Sequence, residues 1–360
     1  MSTTTTCIYC GAHADSLEHP LIAALGEFED APLLQQRICT RCNGGKRLGL
    51  LDEQYARCGP ESFLRRHYGI RGREKHEKVN PFYRGSAGGH RLEMLAYDEA
   101  AGFHVLMECE NGTYQQARQL IFFDDDGTVH HLPIRKDSTP DTLKAAYDRL
   151  GVNKPIDVRM SCSEDEWEWV EKLVRDTWPT VSVVDRGQLS NSYNGGEVVV
   201  RLSGRYFRAV AKMGFHYFLT QFPQFSGAES TFAEIRDFIT EDRPVLEANR
   251  FLRKRNFPLL GHMMIPNARP DGWRAHVLAA EIKNGECLAH VQTFITEDWP
   301  APIYTIVLGN LEGVAHRAAG HIYIYNADGP TGKFAGVAYD LTATVVPMVA
   351  PPSTPVIVQD

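Results

Sequence analysis

The sequence predicts an α+β protein, in which a zinc-stabilised N-terminal module precedes a larger region of antiparallel strands with amphipathic helices. Three observations predict it: two Cys-x-x-Cys turns near the N-terminus, blocks of period-two alternation after His90, and one apolar stripe at helical spacing from Phe207 to Phe222. With 360 residues and 43% hydrophobic composition, the chain can bury two or three cores.

The turns read Cys7-Ile8-Tyr9-Cys10 and Cys39-Thr40-Arg41-Cys42. Each delivers two sulfurs at a separation that suits tetrahedral zinc, so Cys7, Cys10, Cys39 and Cys42 are expected to close a structural zinc site. Four sulfurs saturate the metal, which leaves His13 as a loop residue. Inside the gap lies Glu18-His19-Pro20, and Asn43 follows the second turn. Imidazole titrates near neutrality and suits proton removal. Carboxylate and amide oxygens are hard ligands that suit magnesium or manganese.

Taken together, Cys7-Ile8-Tyr9-Cys10-Gly11, Leu17-Glu18-His19-Pro20, Ala24-Leu25-Gly26 and Ile38-Cys39-Thr40-Arg41-Cys42-Asn43 resemble the HNH endonuclease family. The resemblance covers about the first sixty residues. It implies a ββα-metal fold, with His19 as the general base that deprotonates a water and with Glu18 and Asn43 holding one catalytic divalent cation, Mg or Mn. It differs from the family's common pattern in having Glu18 rather than Asp before the base, and Leu34 where a middle Asn usually stands.

The chain carries a formal net charge of −7, which argues against a protein that coats nucleic acid over its whole surface. From Gln36 to Lys78, however, eleven basic side chains face five acidic ones. Such a local excess fits a face that meets phosphates, with Arg41, Lys46 and Arg47 as candidates for nucleic-acid phosphate contact and DNA as the expected partner. Thr40 to Ala56 reads as one helix that carries these residues.

Residues 1–80 therefore read as the nuclease module with a basic extension. Residues 81–196 read as an α+β region: strands at Arg91–Tyr97, Phe103–Glu108, Gln119–Phe123 and Thr128–Ile134, then helices at Thr139–Leu150 and Ser163–Trp178. Asp124-Asp125-Asp126-Gly127 reads as a hairpin turn rather than a metal site.

Residues 197–345 read as a helix pair plus an antiparallel meander. Lys212 and His216, one turn apart on the first helix, are expected to form a polar edge that faces a protein partner. His276, His290 and His321 fall in separate strands and read as ordinary strand positions, and Asn284-Gly285 reads as a hairpin turn. Residues 346–360 form a proline-rich tail. No apolar run approaches membrane-spanning length, and the N-terminus lacks a signal-peptide pattern, so a cytoplasmic protein without membrane contact is expected.

Overall fold

The computed structural model describes residues 6–44, 47–58, 60–70, 91–98, 102–110, 113–123, 129–148, 157–187, 194–202, 204–241, 248–255, 273–296, 301–326 and 333–341. Lys46, the Arg71–Lys78 part of the basic stretch, the Asp124–Gly127 turn and the proline-rich tail lie outside them.

In chain order the N-terminal elements are β1 (Leu17–Glu18), β2 (Phe28–Glu29), β3 (Leu34–Gln35), α1 (Thr40–Asn43), α2 (Leu48–Cys58) and α3 (Pro60–His67). There follow β4 (Arg91–Asp98), β5 (Phe103–Glu110), β6 (Thr113–Gln116), β7 (Gln119–Phe123), β8 (Val129–Pro133), α4 (Pro140–Asp148), β9 (Asp157–Ser161), α5 (Trp167–Thr177), β10 (Ser182–Gly187) and β11 (Asn194–Arg201). The last part holds α6 (Gly204–Gln221), α7 (Ala233–Thr240), α8 (Ala248–Phe251), β12 (Leu252–Arg255), β13 (Arg274–Lys283), β14 (Glu286–Thr296), β15 (Ile303–Asn310), β16 (Arg317–Tyr325) and β17 (Gly336–Asp340). The architecture is mixed α and β with several antiparallel sheets. The chain forms two compact units, one of Met1–Arg91 with Arg201–Asp360 and one of Leu92–Val200.

The first unit is built on a seven-stranded sheet in the order β12-β15-β14-β13-β16-β17-β2. Its strands are antiparallel except at one edge, where the N-terminal β2 pairs parallel with β17 through Phe28 opposite Gly336. The β13–β14 hairpin turns on Asn284 and Gly285, whose φ angles of 52° and 82° are those of a type I′ turn. Helix α6 is buried on every side from Tyr206 to Leu219, as expected of a helix enclosed by its own protein. Gly214 lets it lie close on the sheet, since a Cβ there would meet Ile306 Cδ1 at 2.8 Å and Ala289 Cβ at 3.0 Å.

One hydrophobic core joins Ile8, Leu25, Phe28, Leu34 and Leu51 of the N-terminal segment to Val210, Phe215 and Phe218 of α6 and to Ala289 and Ile306 of the sheet. The described part of residues 6–70 is thus packed on α6 and the seven-stranded sheet. The single helix expected over Thr40 to Ala56 is broken: α1 ends at Asn43, and α2 begins only at Leu48. Gly44 falls at the break, where backbone entropy opposes a continued helix, and its N–H closes the last turn on the Thr40 carbonyl.

The second unit contains two four-stranded sheets, β11-β4-β5-β6 and β10-β9-β7-β8. In the latter β9 and β10 run parallel, connected through α5. Leu120, Phe122, Val158 and Met160 of the sheet pack against Leu143 and Tyr147 of α4 and Val170 and Val174 of α5. The strands at 113–116, 182–187 and 252–255 are additions to the elements legible in the sequence.

Candidate functional site

The four N-terminal cysteines converge. Their sulfurs lie within 4.8 Å of one another, with Cys7, Cys39 and Cys42 buried and Cys10 exposed. Gly11, at φ 72°, closes the first turn with its N–H on the Cys7 carbonyl at 2.9 Å, a conformation a side chain would strain. At the second turn Cys39 caps α1, and its sulfur accepts from the Cys42 N–H at 3.4 Å. Asp15 Oδ1 steadies the same end through the Thr40 N–H at 2.7 Å and the Thr40 hydroxyl at 3.0 Å. Burial pushes the Cys39 and Cys42 thiols up, so a cation is needed for all four sulfurs to be thiolates together. Four sulfurs at this spacing can hold a metal such as zinc.

Beside the cluster, β1 pairs antiparallel with β3, Leu17 opposite Gln35 and Glu18 opposite Leu34. This short strand inverts the usual burial rule: Leu17 is 60% exposed and Glu18 only 6%. The Asn43 side chain ties α1 to β1 by donating Nδ2–H to the Leu17 carbonyl at 3.3 Å. Leu17, Glu18, His19, Asn43, Asp52, Glu53, Arg57 and Arg65 line one cavity of about 500 Å³ between β1, α1, α2 and α3.

The inverted burial of Glu18 has a partner to explain it. Lys212 Nζ, on α6, lies 2.6 Å from Glu18 Oε1 and 2.6 Å from Asp52 Oδ2, and Lys212 is itself fully buried. His216, one turn further along α6, holds Nδ1 3.6 Å from Glu18 Oε1, too far for a hydrogen bond, and Nε2 2.8 Å from the Tyr9 hydroxyl. Burial pushes the Glu18 carboxyl up, but the Lys212 ammonium with His216 beside it outweighs that and brings it down to about 2. Burial acts against the charge of Lys212 as well. Asp52 and Glu18 overcome it and raise the ammonium above its ordinary value. For His216 burial prevails and lowers the imidazole, which therefore stays neutral. Removing Lys212 would leave two carboxylates facing each other without their cation, at a cost on the order of 3–5 kcal/mol, whereas removing either carboxylate leaves a balanced pair.

Lys212 and His216 therefore do not form the partner-facing polar edge that their spacing suggests. Both are completely enclosed, because the helix has no solvent face in this stretch and its polar groups are met by the N-terminal segment. Glu18, His19 and Asn43 are brought together on one cavity wall. Arg41 and Arg47 are exposed and do not line it, whereas Arg57 and Arg65 do. Sequence reading missed Asp52, Glu53, Arg57, Arg65 and Lys212 as cavity or network residues. The available signal was Lys212 and His216 interrupting an apolar stripe at i, i+4.

No family model matches this chain, and no curated protein or solved structure matches it either. The site is thus read from its own chemistry. The three strand histidines have separate partners: His276 Nε2 meets the Tyr325 hydroxyl at 2.6 Å, His290 lies 3.0 Å from Thr305 Oγ1, and His321 lies 2.7 Å from the Tyr217 hydroxyl. Among the described residues, no helix is long and apolar enough to cross a membrane.

Proposed function

We propose that the protein is a metal-dependent phosphodiester hydrolase of the HNH endonuclease type, acting on nucleic acid, with DNA as the first substrate to test. The observation that carries this reading is the convergence of Glu18, His19 and Asn43 on one cavity beside the cysteine cluster. β1, β3 and α1 would then be the two strands and helix of a ββα-metal module, held in shape by zinc on Cys7, Cys10, Cys39 and Cys42. The oxygen-bearing side chains of Glu18 and Asn43 in the cavity are hard donors suited to Mg²⁺ or Mn²⁺.

When bound, such a cation would stabilise the charge that develops on the scissile phosphate and the leaving oxygen. His19 takes the proton of the attacking water on a ring nitrogen. Asn43 engages Leu17 through its Nδ2, a bond that does not use its amide oxygen. Glu18 is fixed through Oε1 by Lys212, so its carboxylate needs no reordering when substrate arrives. Of the arginines on the same wall, Arg57 is half-exposed and paired with Glu53 at 2.7 Å, and Arg65 is fully buried with Nη1 donating to the Ala56 carbonyl at 2.7 Å. Phosphate contact would therefore fall to Arg57 and, along the strand, to Arg41, Lys46 and Arg47.

The test is nicking of supercoiled plasmid in Mg²⁺ and in Mn²⁺. Metal-dependent cutting is expected, reduced by about 10²–10⁴-fold in His19→Ala. A second reading, a non-catalytic zinc-stabilised nucleic-acid-binding protein on a nuclease-like scaffold, is favoured by one observation: Lys212 already satisfies Glu18 without a metal. DNA binding without cutting, unaffected by His19→Ala, would select it.

A further inference from the structure

We infer that Lys212 is a built-in cation: its ammonium occupies the place where a divalent ion would otherwise bridge Glu18 and Asp52, and so restricts the cavity to one exchangeable cation. The single exchangeable cation rests on the function proposed above, but the role of Lys212 rests on its own geometry.

Nζ is 2.6 Å from Glu18 Oε1 and 2.6 Å from Asp52 Oδ2, so the two carboxylate oxygens are no further apart than twice that length. Oxygens that share one Mg²⁺ each lie about 2.1 Å from it and so span at most about 4.2 Å, which the pair reaches by closing no more than about 1 Å around the ion. The three groups come from separate elements, β1, α2 and α6, so the fold itself assembles this pair of carboxylates around one positive charge. Two carboxylates alone would present two negative charges to a dication. With the ammonium between them they present one.

The placement of the ammonium is fixed by packing. Lys212 is wholly enclosed, Gly214 seats α6 against Ile306 and Ala289, and His216 anchors the next turn to Tyr9. Lys212 is therefore a positioning residue, which acts through Glu18 and Asp52, and it needs no contact with substrate.

The experiment counts Mn²⁺ ions bound per full-length, zinc-loaded chain by the electron paramagnetic resonance of the free ion, in wild type, Lys212→Met, Lys212→Arg and the double variant Lys212→Met/Asp52→Asn. Lys212→Met should bind one ion more than wild type, and its melting temperature should rise with Mn²⁺. Lys212→Arg, which keeps the positive charge, should bind the wild-type number, and the double variant should lose the additional ion. Should Lys212→Met fail to fold by itself, Mn²⁺ is expected to restore its native near-ultraviolet circular dichroism. A variant that neither gains an ion nor is stabilised by Mn²⁺ overturns the inference. A wild type that binds no Mn²⁺ beside a variant that binds one upholds the role of Lys212 while removing the hydrolase reading. One ion in each does the reverse.

Discussion

The Tyr9 hydroxyl, between the first two cysteines, lies 2.8 Å from His216 Nε2 on a helix 207 positions away. A neutral His216 that carries its proton on Nδ1 accepts from the Tyr9 hydroxyl at Nε2 and sets that Nδ1 3.6 Å from Glu18 Oε1, so a single ring is packed between the cysteine loop and the carboxylate on the cavity wall. The metal-binding loop and the buried helix are thereby one mechanical unit. What disturbs the first should be felt by the second.

Metal removal should show this coupling. Purified protein is expected to contain one zinc per chain by elemental analysis, and Cys39→Ser should lose it. Because Cys7, Cys39 and Cys42 belong to the same core as α6 and the seven-stranded sheet, the loss should lower the melting temperature of the entire first unit rather than fray only its N-terminus. Structural zinc contributes on the order of 10 kcal/mol in small zinc domains, so even a fraction of that gives a shift of many degrees. Hydrogen exchange checks the extent: faster exchange at amides of α6 is expected, and protection confined to its wild-type level there would contradict the coupling.

Gly214→Ala tests the seating of α6. The added methyl would press on Ile306 Cδ1 and Ala289 Cβ, inside ordinary contact distance, and both belong to strands that cannot easily recede. The helix gains propensity from alanine, roughly 1 kcal/mol, but overpacking of a dense core costs about 1–3 kcal/mol. The net effect expected is destabilisation, read from denaturant melts. An unchanged or higher midpoint would mean that the helix rides further from the sheet.

These dependencies mark the limit of what the sequence alone discloses. Cysteine spacing, the Glu18-His19 pair and the post-turn Asn43 are local signals, and the cluster and the cavity both use them. The meander from Ala275 to Tyr339 and the Asn284-Gly285 turn were equally legible, because alternation and turn chemistry are short-range. The burial of Lys212 is not legible in the same way, since helical spacing shows which residues share a face but not what covers it. The burial of Glu18 beside an exposed Leu17 runs against the usual pattern and makes sense only with Lys212 in view. The split between α1 and α2 falls where Asn43 to Arg47 offers two glycines and no apolar side chain between Cys42 and Leu48, so the break itself is a local signal.

Two buried carboxyls should give the stability profile opposite slopes. Glu18 is held down at about 2, against an ordinary 4.5, by Lys212 and His216 once the upward push of burial is overcome. Between those values the unfolded chain binds the extra proton, so stability is present above about 4.5 and is lost as pH falls toward 2.

Glu61 acts the other way, and a variant can isolate it. It is 5% exposed on α3, and its Oε1 accepts from Tyr55 at 2.9 Å, Tyr206 at 2.7 Å and Thr293 at 3.1 Å. Burial raises its carboxyl, more than these three donors lower it. The folded state then keeps a proton that the unfolded state has released, so stability declines as pH rises from the ordinary carboxylate value through the raised one. The slope reaches at most about 1.4 kcal/mol per pH unit for one proton. Glu61→Gln retains an oxygen for the three hydroxyls and has no proton to lose. Melting temperatures from pH 5 to 8 should therefore fall less steeply in this variant than in wild type. Glu61→Ala, which removes the acceptor that all three hydroxyls share, should instead be destabilised at every pH by on the order of 3 kcal/mol. Parallel profiles for wild type and Glu61→Gln would show that Glu61 is ionised in the folded protein.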